Sequence, residues 1–443
     1  MNNLELRTRI AEAKRTQRLL ERTSRSQRNQ MVHAIAEHLK SSAPAIVKAN
    51  TEDLLQAQHM QLATPLVKRL RYDERKIEES CEQLVQVASL EDPIGEVLER
   101  KLLDNELILE RVSVPLGVIA MVFEARPDAL VQIIALALKS GNAIVLKGGR
   151  EALNTNRELI RVIGEALDSF PTGSSWIVHL ESREDVAQIL ELDDMINLVI
   201  PRGSNSFVRY IMDHTKIPVL GHADGLCSIY IDAECDVDKA VSIAVDAKCQ
   251  YPAVCNAVET ILIHQDSASR VLPGLKQSLD AYQVIIHGDS AVSNIIACVA
   301  ATDADWDCEY LGYEVALKVV SSLDEAIDHI ETHGSKHTDA IVTENRDTAM
   351  SFLRRVDSAN VFWNCSTRFS DGFRYGLGAE VGVSTQKIHA RGPVGLAGLM
   401  TYKWIMAGNG HLVASYVGMD SKPFIHRKLS VDHSSSMIEG GQP

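Results

Sequence analysis

Apolar residues recur every three or four positions through roughly the first ninety residues. The runs IAEAKRTQRLL (10–20), QMVHAIAEHL (30–39) and AIVKANTEDLLQAQ (45–58) each predict an amphipathic helix. From about residue 114 the texture changes to short β-rich runs alternating with helical ones. GVIAMVF (117–123), AIVLK (143–147), WIVHL (176–180), INLVI (196–200) and IPVL (217–220) predict strands. Between them, segments after Pro127, through 156–167, 183–192 and 206–214 carry helical spacing, with Pro127, Asn154 and Ser204 as N-terminal signals. Strand–helix alternation of this kind builds a parallel sheet covered on both faces. A second α/β stretch begins at SIYID (228–232). It continues with a helix over 237–248, strands ETILIH, YQVIIHG and VALKVV, a helix over 323–331, and strands DAIVTE and NVFWN. The segment 100–114 alternates apolar and polar residues and predicts an exposed hairpin, which would seek a partner edge on another subunit. The tail from about 400 is weakly patterned, and its last dozen residues are expected to be disordered.

Composition narrows the function classes. With 443 residues the chain suggests two or three domains and can bury about three quarters of its unfolded surface. A net charge of −14 argues against nucleic-acid binding, which needs a basic face, but leaves room for small anions held by local arginines. No run of about 18 apolar residues predicts a membrane span, and MNNLELRTRI lacks the apolar region of a signal peptide. Eight cysteines with no CxxC pair favour reduced thiols in a cytoplasmic protein over a zinc site or disulfide framework. No internal repeat is evident.

Three segments carry candidate chemistry. In AIVLKGGREA (143–152) a strand ends on Lys147, where a lysine could meet an adenosine ribose or its 2′-phosphate, and Gly149 belongs to a tight glycine turn. On the residues alone, the commoner reading is a tight turn with a surface lysine. In PRGSNS (201–206), Gly203 and Ser204 open a helix whose N–H groups could hold a pyrophosphate. Neither is the usual GxGxxG fingerprint. Cys255, in KCQYPAVCNAVETILIH, falls in a loop between helix and strand, where catalytic groups collect. The other seven cysteines compete with it; Cys227, Cys249, Cys298 and Cys365 read as core on strand or helix faces.

Four blocks together are more specific: VPLGVIAMVFEARPDAL with GNAIVLKGGREA, then KCQYPAVCNAVETILIH, then HGSKHTDAIVTEN, then STRFSDGFRYGLGAEVGVSTQKIHARGPVGL. On these the chain resembles the gamma-glutamyl phosphate reductases, a branch of the aldehyde dehydrogenase superfamily, over about residues 5–415. YPAVCNAVETILIH and NVFWNCSTRFSDG look especially like the reductase half of the pyrroline-5-carboxylate synthases, and the absence of a kinase segment suggests a stand-alone reductase.

The resemblance implies an α/β, aldehyde-dehydrogenase-like fold with two Rossmann-like domains and a β-hairpin oligomerisation element. It implies an NADP-binding domain over 1–99 and 115–226, a catalytic domain over 227–398, an arm from 100–114 and 399–425, and a disordered tail over 426–443. The activity implied is NADPH-dependent reduction of L-glutamyl 5-phosphate to L-glutamate 5-semialdehyde. In that scheme Cys255 matches the nucleophile, Lys147 the lysine at the adenosine ribose, and Gly203 with Ser204 the pair over the pyrophosphate. Glu309 looks like the carboxylate anchoring the nicotinamide ribose. A substrate with two anionic groups and an amine calls for arginines and a carboxylate. Arg126, Arg368 and Arg391, with Glu124 for the amine and Thr367 for an oxygen, lie in the family blocks. Each arginine could equally sit in a structural ion pair.

Three departures matter. The stretch LGHADGLCS (220–228) lacks the glutamate that hydrolytic aldehyde dehydrogenases use to activate water, which suits a reductase. FEARPDA lacks the usual asparagine donor, so Asn256 beside the nucleophile is the candidate oxyanion partner, or else a turn-forming asparagine. Tyr251 stands where many stand-alone bacterial members have arginine. The remaining readings are another acylating aldehyde dehydrogenase and a non-catalytic homologue. Expected partners are the small-molecule substrate, further copies of the chain in a dimer or tetramer, and glutamate 5-kinase for hand-over of the labile acyl phosphate; no metal, nucleic acid or membrane is expected.

Overall fold

The computed structural model describes residues 2–62, 64–124, 126–221 and 224–431. The chain forms two compact units: Met1–Gly203 with Ile211–Val219 and Gly395–Pro443, and Ser204–Tyr210 with Leu220–Val394. Among the described residues no helix is long and apolar enough to cross a membrane.

The first unit begins with helices Asn3–Leu20, Arg25–Ser41, Ala43–His59 and Glu74–Ser89. Local chemistry starts three of them. The Asn2 and Asp73 side chains accept backbone N–H groups of the first turn, and Ser24 with Gln27 forms a reciprocal capping box. Their apolar stripes (Leu6 and Ile10; Met31 and Ile35; Ile77 and Leu84) are buried. Strands β1 (Val97–Asp104) and β2 (Leu107–Pro115) form an antiparallel hairpin. Then come β3 (Val118–Phe123), β4 (Ala143–Lys147), β5 (Ile177–Leu180) and β6 (Leu198–Arg202). They pair in parallel in the order β5-β4-β3-β6. IPVL makes only a single parallel bridge, Val199 to Val219. After β5 the chain returns to the far side of β3, so the strand order reverses between β3 and β6, the place where such sheets bind ligands at their C-terminal ends. Helix Pro127–Lys139 is buried almost all round, including Lys139. The Lys139 ammonium donates to Asn29 Oδ1 (2.7 Å) and Ala88 O (2.9 Å), and burial lowers its pKa to about 8.

The second unit holds seven parallel strands: β7 (Cys227–Ile231), β8 (Val258–His264), β9 (Ile285–Gly288), β10 (Val299–Ala300), β11 (Glu314–Val320), β12 (Thr338–Val342) and β13 (Asn360–Trp363). Their order is β10-β9-β11-β8-β7-β12-β13. Alternation along the strands separates two cores. Ile229, Ile231, Ile261 and Ile263 pack with helices Val237–Cys249 and Gln265–Asp280, whereas Tyr230, Leu262 and Ile341 face helices Leu323–His333 and Arg346–Arg355. Helix Gln265–Asp280 was not expected from the sequence, because Pro273 and Gly274 interrupt its pattern. It forms because Ala268, Val271, Leu272, Leu275 and Leu279 all bury on one face.

A four-stranded antiparallel sheet completes the first unit. Met400–Ala407 pairs with β2 and Arg427–Lys428 with β1. Two expectations change here. The β2 edge of the hairpin is covered within its own chain, which leaves Met400–Ala407 on the outside with Tyr402, Trp404 and Met406 exposed. The tail expected to lack structure from 426 instead adds a short strand at 427–428; residues 432–443 lie outside the described residues. The division into units also puts Ser204–Tyr210 and Leu220–Leu226 with the second unit, where the sequence suggested the first.

Candidate active site

The cysteine loop of the second unit lies between helix Val237–Cys249 and β8, at the N-terminal edge of the sheet. Cys255 is half-buried, and its carbonyl accepts the Cys227 thiol at 3.1 Å. A buried ion pair joins the two ends of the loop: Lys248 Nζ meets Glu259 Oε2 at 2.5 Å, with the side chains 0% and 1% exposed. The residue after the cysteine is also held. Thr367 Oγ1 donates to the Asn256 carbonyl (2.7 Å), Asn256 Nδ2 donates to the Ser370 carbonyl (2.7 Å), and Arg368 donates to Asn256 Oδ1. Arg368 Nε also bonds Gln250 Oε1 at 2.9 Å, so the short helix Thr367–Phe369 grips the loop from one side.

Gly225 brings a second strand's approach against the loop. A Cβ there would stand 2.5 Å from Cys255 Cβ, from Cys255 O and from Glu309 Oε1. Cys255 Cβ and Glu309 Oε1 therefore lie within twice that distance of each other. Glu309 Oε2 accepts from Asn205 Nδ2 (2.8 Å), which also donates to Asp224 Oδ1 (3.0 Å), and Arg209 pairs with Asp224 (3.0 Å). Residues a hundred positions apart thus converge on one point beside the cysteine.

Burial sets the electrostatics. Desolvation pushes the Glu259 carboxyl up to about 7 against the pull of Lys248, and the Glu309 charge adds to the rise. Desolvation lowers the Arg368 pKa, with Arg374 adding to it, while Asp371 and Cys255 pull the other way. Full burial raises the Cys227 thiol well above its usual range, and Cys249, Cys235 and Cys365 are also raised by burial. Cys227 and Cys249 are core residues as expected, but Cys298 and Cys365 are half-exposed and lie outside strands and helices.

In the first unit, Lys147 ends β4 and is 8% exposed. The turn behind it is tight: a Cβ at Gly148 would meet Asn156 Nδ2 at 2.1 Å and Phe123 at 3.2 Å, and one at Gly149 would meet the Glu151 carboxylate at 1.9 Å. Asn156 Oδ1 is buried beside this turn without a hydrogen-bond partner. The N-terminus of helix Leu153–Leu167 is already capped by a buried carboxylate. Asp53 accepts from Asn154 N (3.1 Å), Thr155 N (2.8 Å) and Thr155 Oγ1 (2.6 Å). A second anion has no place there. Gly203 and Ser204 follow β6 at the reversal of strand order, and Glu124 follows β3 with its N–H on Arg202 O (3.0 Å). The helix after Gly149 thus has its first N–H groups taken by Asp53.

A sequence model described as "Aldehyde dehydrogenase family" matches residues 2–304. The chain is 53% identical over 406 residues to a gamma-glutamyl phosphate reductase of Pelotomaculum thermopropionicum, covering 92% of this chain and 93% of the relative. The crystal structure of gamma-glutamyl phosphate reductase from Thermotoga maritima superposes with TM-score 0.90 at 37% identity, covering 92% and 99% of the two chains. The chain belongs to the gamma-glutamyl phosphate reductases, in the aldehyde dehydrogenase family. In fold alone it also matches the glyceraldehyde-3-phosphate dehydrogenase GapN of Methanocaldococcus jannaschii, solved with NADP (TM-score 0.67, 14% identity, covering 92% and 95%).

In this reductase several expected site residues are committed elsewhere. The Asn256 side chain is bonded at its oxygen and through one N–H of its nitrogen, which ties it to the loop. The Thr367 hydroxyl is fully buried on the Asn256 carbonyl and is not placed to bind substrate oxygen. Arg391 is pinned to Asp357 through both terminal nitrogens (2.9 and 2.7 Å), away from the cysteine-loop contacts. Arg368 is buried and bonded on two sides, so it can act on the cysteine by its charge. Reading the sequence missed Gly225, Asn205, Asp224 and the Lys248–Glu259 pair. Only Glu259 left a trace: a charged residue heading an otherwise apolar strand.

Proposed function

We propose that this reductase converts L-glutamyl 5-phosphate to L-glutamate 5-semialdehyde with NADPH, through a thioester on Cys255. The observation that carries the reading is the convergence on that cysteine: a half-buried sulfur-bearing loop gripped by Thr367–Ser370, with Glu309 drawn against it at Gly225. A thiolate at Cys255 attacks the acyl carbon and inorganic phosphate leaves, so one C–S bond forms as one C–O bond breaks, with no general acid. Arg368 sets a positive charge near the sulfur while that happens. Bound NADPH supplies the hydride that takes the acyl carbon to the aldehyde level. The backbone N–H at Cys255 is the simplest donor to the oxyanion that develops, since the Asn256 amide is already tied to Ser370 and Arg368. Collapse of the thiohemiacetal frees the aldehyde and restores the thiolate.

Lys147, Gly149, Gly203 and Ser204 hold the nucleotide, with Lys147 on the adenosine side, and Glu309 takes the nicotinamide ribose. Glu124 and Arg126, at the C-terminal end of β3, bind the polar end of the substrate. Catalysis in a dimer or larger assembly, and hand-over from glutamate 5-kinase, belong to the same proposal; the exposed face of Met400–Ala407 supports assembly.

The test runs the reaction in reverse, from glutamate semialdehyde, phosphate and NADP, so that the labile acyl phosphate need not be supplied. Cys255→Ala is expected to lower phosphate-dependent NADPH formation by at least about 10³-fold while the protein stays folded. An active Cys255→Ala protein, or wild-type turnover with CoA in place of phosphate, rejects the assignment.

A further inference from the structure

The Lys248–Glu259 pair is unexplained by the chemistry above. It is fully buried, and its nitrogen and oxygen are 2.5 Å apart. A buried ion pair contributes little net stability, since desolvating two charges offsets their attraction. Replacing it with apolar residues is often neutral or better. Its presence therefore calls for a reason other than stability.

Its placement supplies one. Lys248 sits in the last turn of helix Val237–Cys249 and Glu259 in the first residues of β8, so the pair closes the chain on both sides of Cys255. The second carboxylate oxygen, Glu259 Oε1, accepts the Leu311 N–H at 3.3 Å. Leu311 is two residues from Glu309 and holds a left-handed backbone (φ 52°), a conformation that a leucine keeps only when its surroundings enforce it. The Lys248 ammonium also lies 5.9 Å from the centre of the Tyr310 ring. Tyr310 in turn donates to Asp305 (2.7 Å) and stacks on His287, which pairs with Asp305 and Glu314.

We propose that Lys248–Glu259 is a positioning pair that fixes the Cys255 loop and, through Leu311 and Tyr310, holds the Glu309 segment in register with it. The inference rests on Cys255 being the nucleophile. The pair acts through other residues and contacts no reacting atom. Charged or titratable groups facing it are Cys249 on its own helix, Cys227 on β7, Cys255 in the loop between the pair, and Cys308, Glu309 and Tyr310 on the segment before β11.

The experiment compares Glu259→Gln, Lys248→Met and the double variant K248M/E259Q with wild type. Each is measured for thermal midpoint, kcat and KM, NADPH affinity by fluorescence, and the pH profile of iodoacetamide alkylation at Cys255, resolved by peptide mass spectrometry. Single variants leave one buried charge unpaired and are expected to lower the midpoint; the double variant removes both charges and recovers it. Recovery of folding should not restore positioning. In the double variant kcat is expected to stay at least about tenfold down, because small displacements of a reacting group cost rates of that order or more. KM for the aldehyde should stay within about threefold, NADPH affinity should fall as the Glu309 segment is released, and Cys255 should alkylate more slowly with a displaced pH midpoint. A folded double variant with wild-type kcat and a wild-type alkylation profile overturns the proposal, as does a slow enzyme whose Cys255 profile is unmoved. Cys255→Ala, run alongside, keeps the two ideas apart: if it stays active, the nucleophile assignment fails whatever the pair does.

Discussion

The two parallel sheets of this reductase carry their candidate chemistry at opposite edges. In the first, Lys147 ends β4, and Glu124 and Gly203 follow β3 and β6, at the C-terminal edge where the strand order reverses. That is where parallel α/β sheets ordinarily bind ligands. In the second, Gly225, Cys255 and Glu309 precede β7, β8 and β11, at the N-terminal edge. The reversal point of that sheet, between β7 and β12, is closed on its C-terminal side. Asp232 there takes Thr343 Oγ1 (2.7 Å), the Tyr230 hydroxyl (3.0 Å) and, through its own N–H, Val342 O (3.0 Å). A rule about edges therefore points to Lys147 and Gly203 and misses the cysteine. What builds the second site is a set of non-local clamps rather than strand order.

This contrast can be broken or sharpened by mutation. The largest effect is expected from Gly225→Ala. Its methyl would overlap Cys255 and Glu309 together, and two of the three contacts are loop atoms that cannot swing away. We expect kcat to fall roughly 10²-fold, with NADPH affinity reduced as well because Glu309 is displaced; a wild-type kcat in steady-state assays would mean that the convergence at Gly225 is unimportant. A smaller effect is expected at the other edge. Lys147→Ala should weaken NADPH binding about tenfold, close to 1.4 kcal/mol, in fluorescence titration, and NADH binding less. It should leave Cys255 alkylation untouched; slowed alkylation would show that the two edges are not separable. The smallest effect concerns the capped helix. Asp53→Ala removes the acceptor for Asn154 and Thr155 and should cost about 1–2 kcal/mol in urea unfolding, with NADPH affinity kept. Lost affinity with intact stability would return the phosphates to the helix after Gly149.

Much of the framework follows from local pattern. Apolar runs such as AIVLK and GVIAMVF become buried strands, and Asn2, Ser24 and Asp73 start helices because their side chains accept nearby N–H groups. Cys255, Lys147 and Gly203 stand out because motif and element boundary coincide there. Where local signals conflict with packing, the sequence misleads. Pro273 hides a helix that its buried leucines hold together, and IPVL has the composition of a strand yet makes one bridge.

Side-chain roles divide along the same line. The sequence by itself determined which segments could be strands, helices and turns, and which cysteine sits at a helix–strand junction, because those depend on residues a few positions apart. Only the tertiary structure decided that Asn256 and Thr367 hold the loop, that Arg391 answers Asp357, and that Lys248 meets Glu259 in a dry interior. A charge is a ligand, a clamp or an idle surface group according to what folds against it and how much water remains, and both are set by residues far away in the chain.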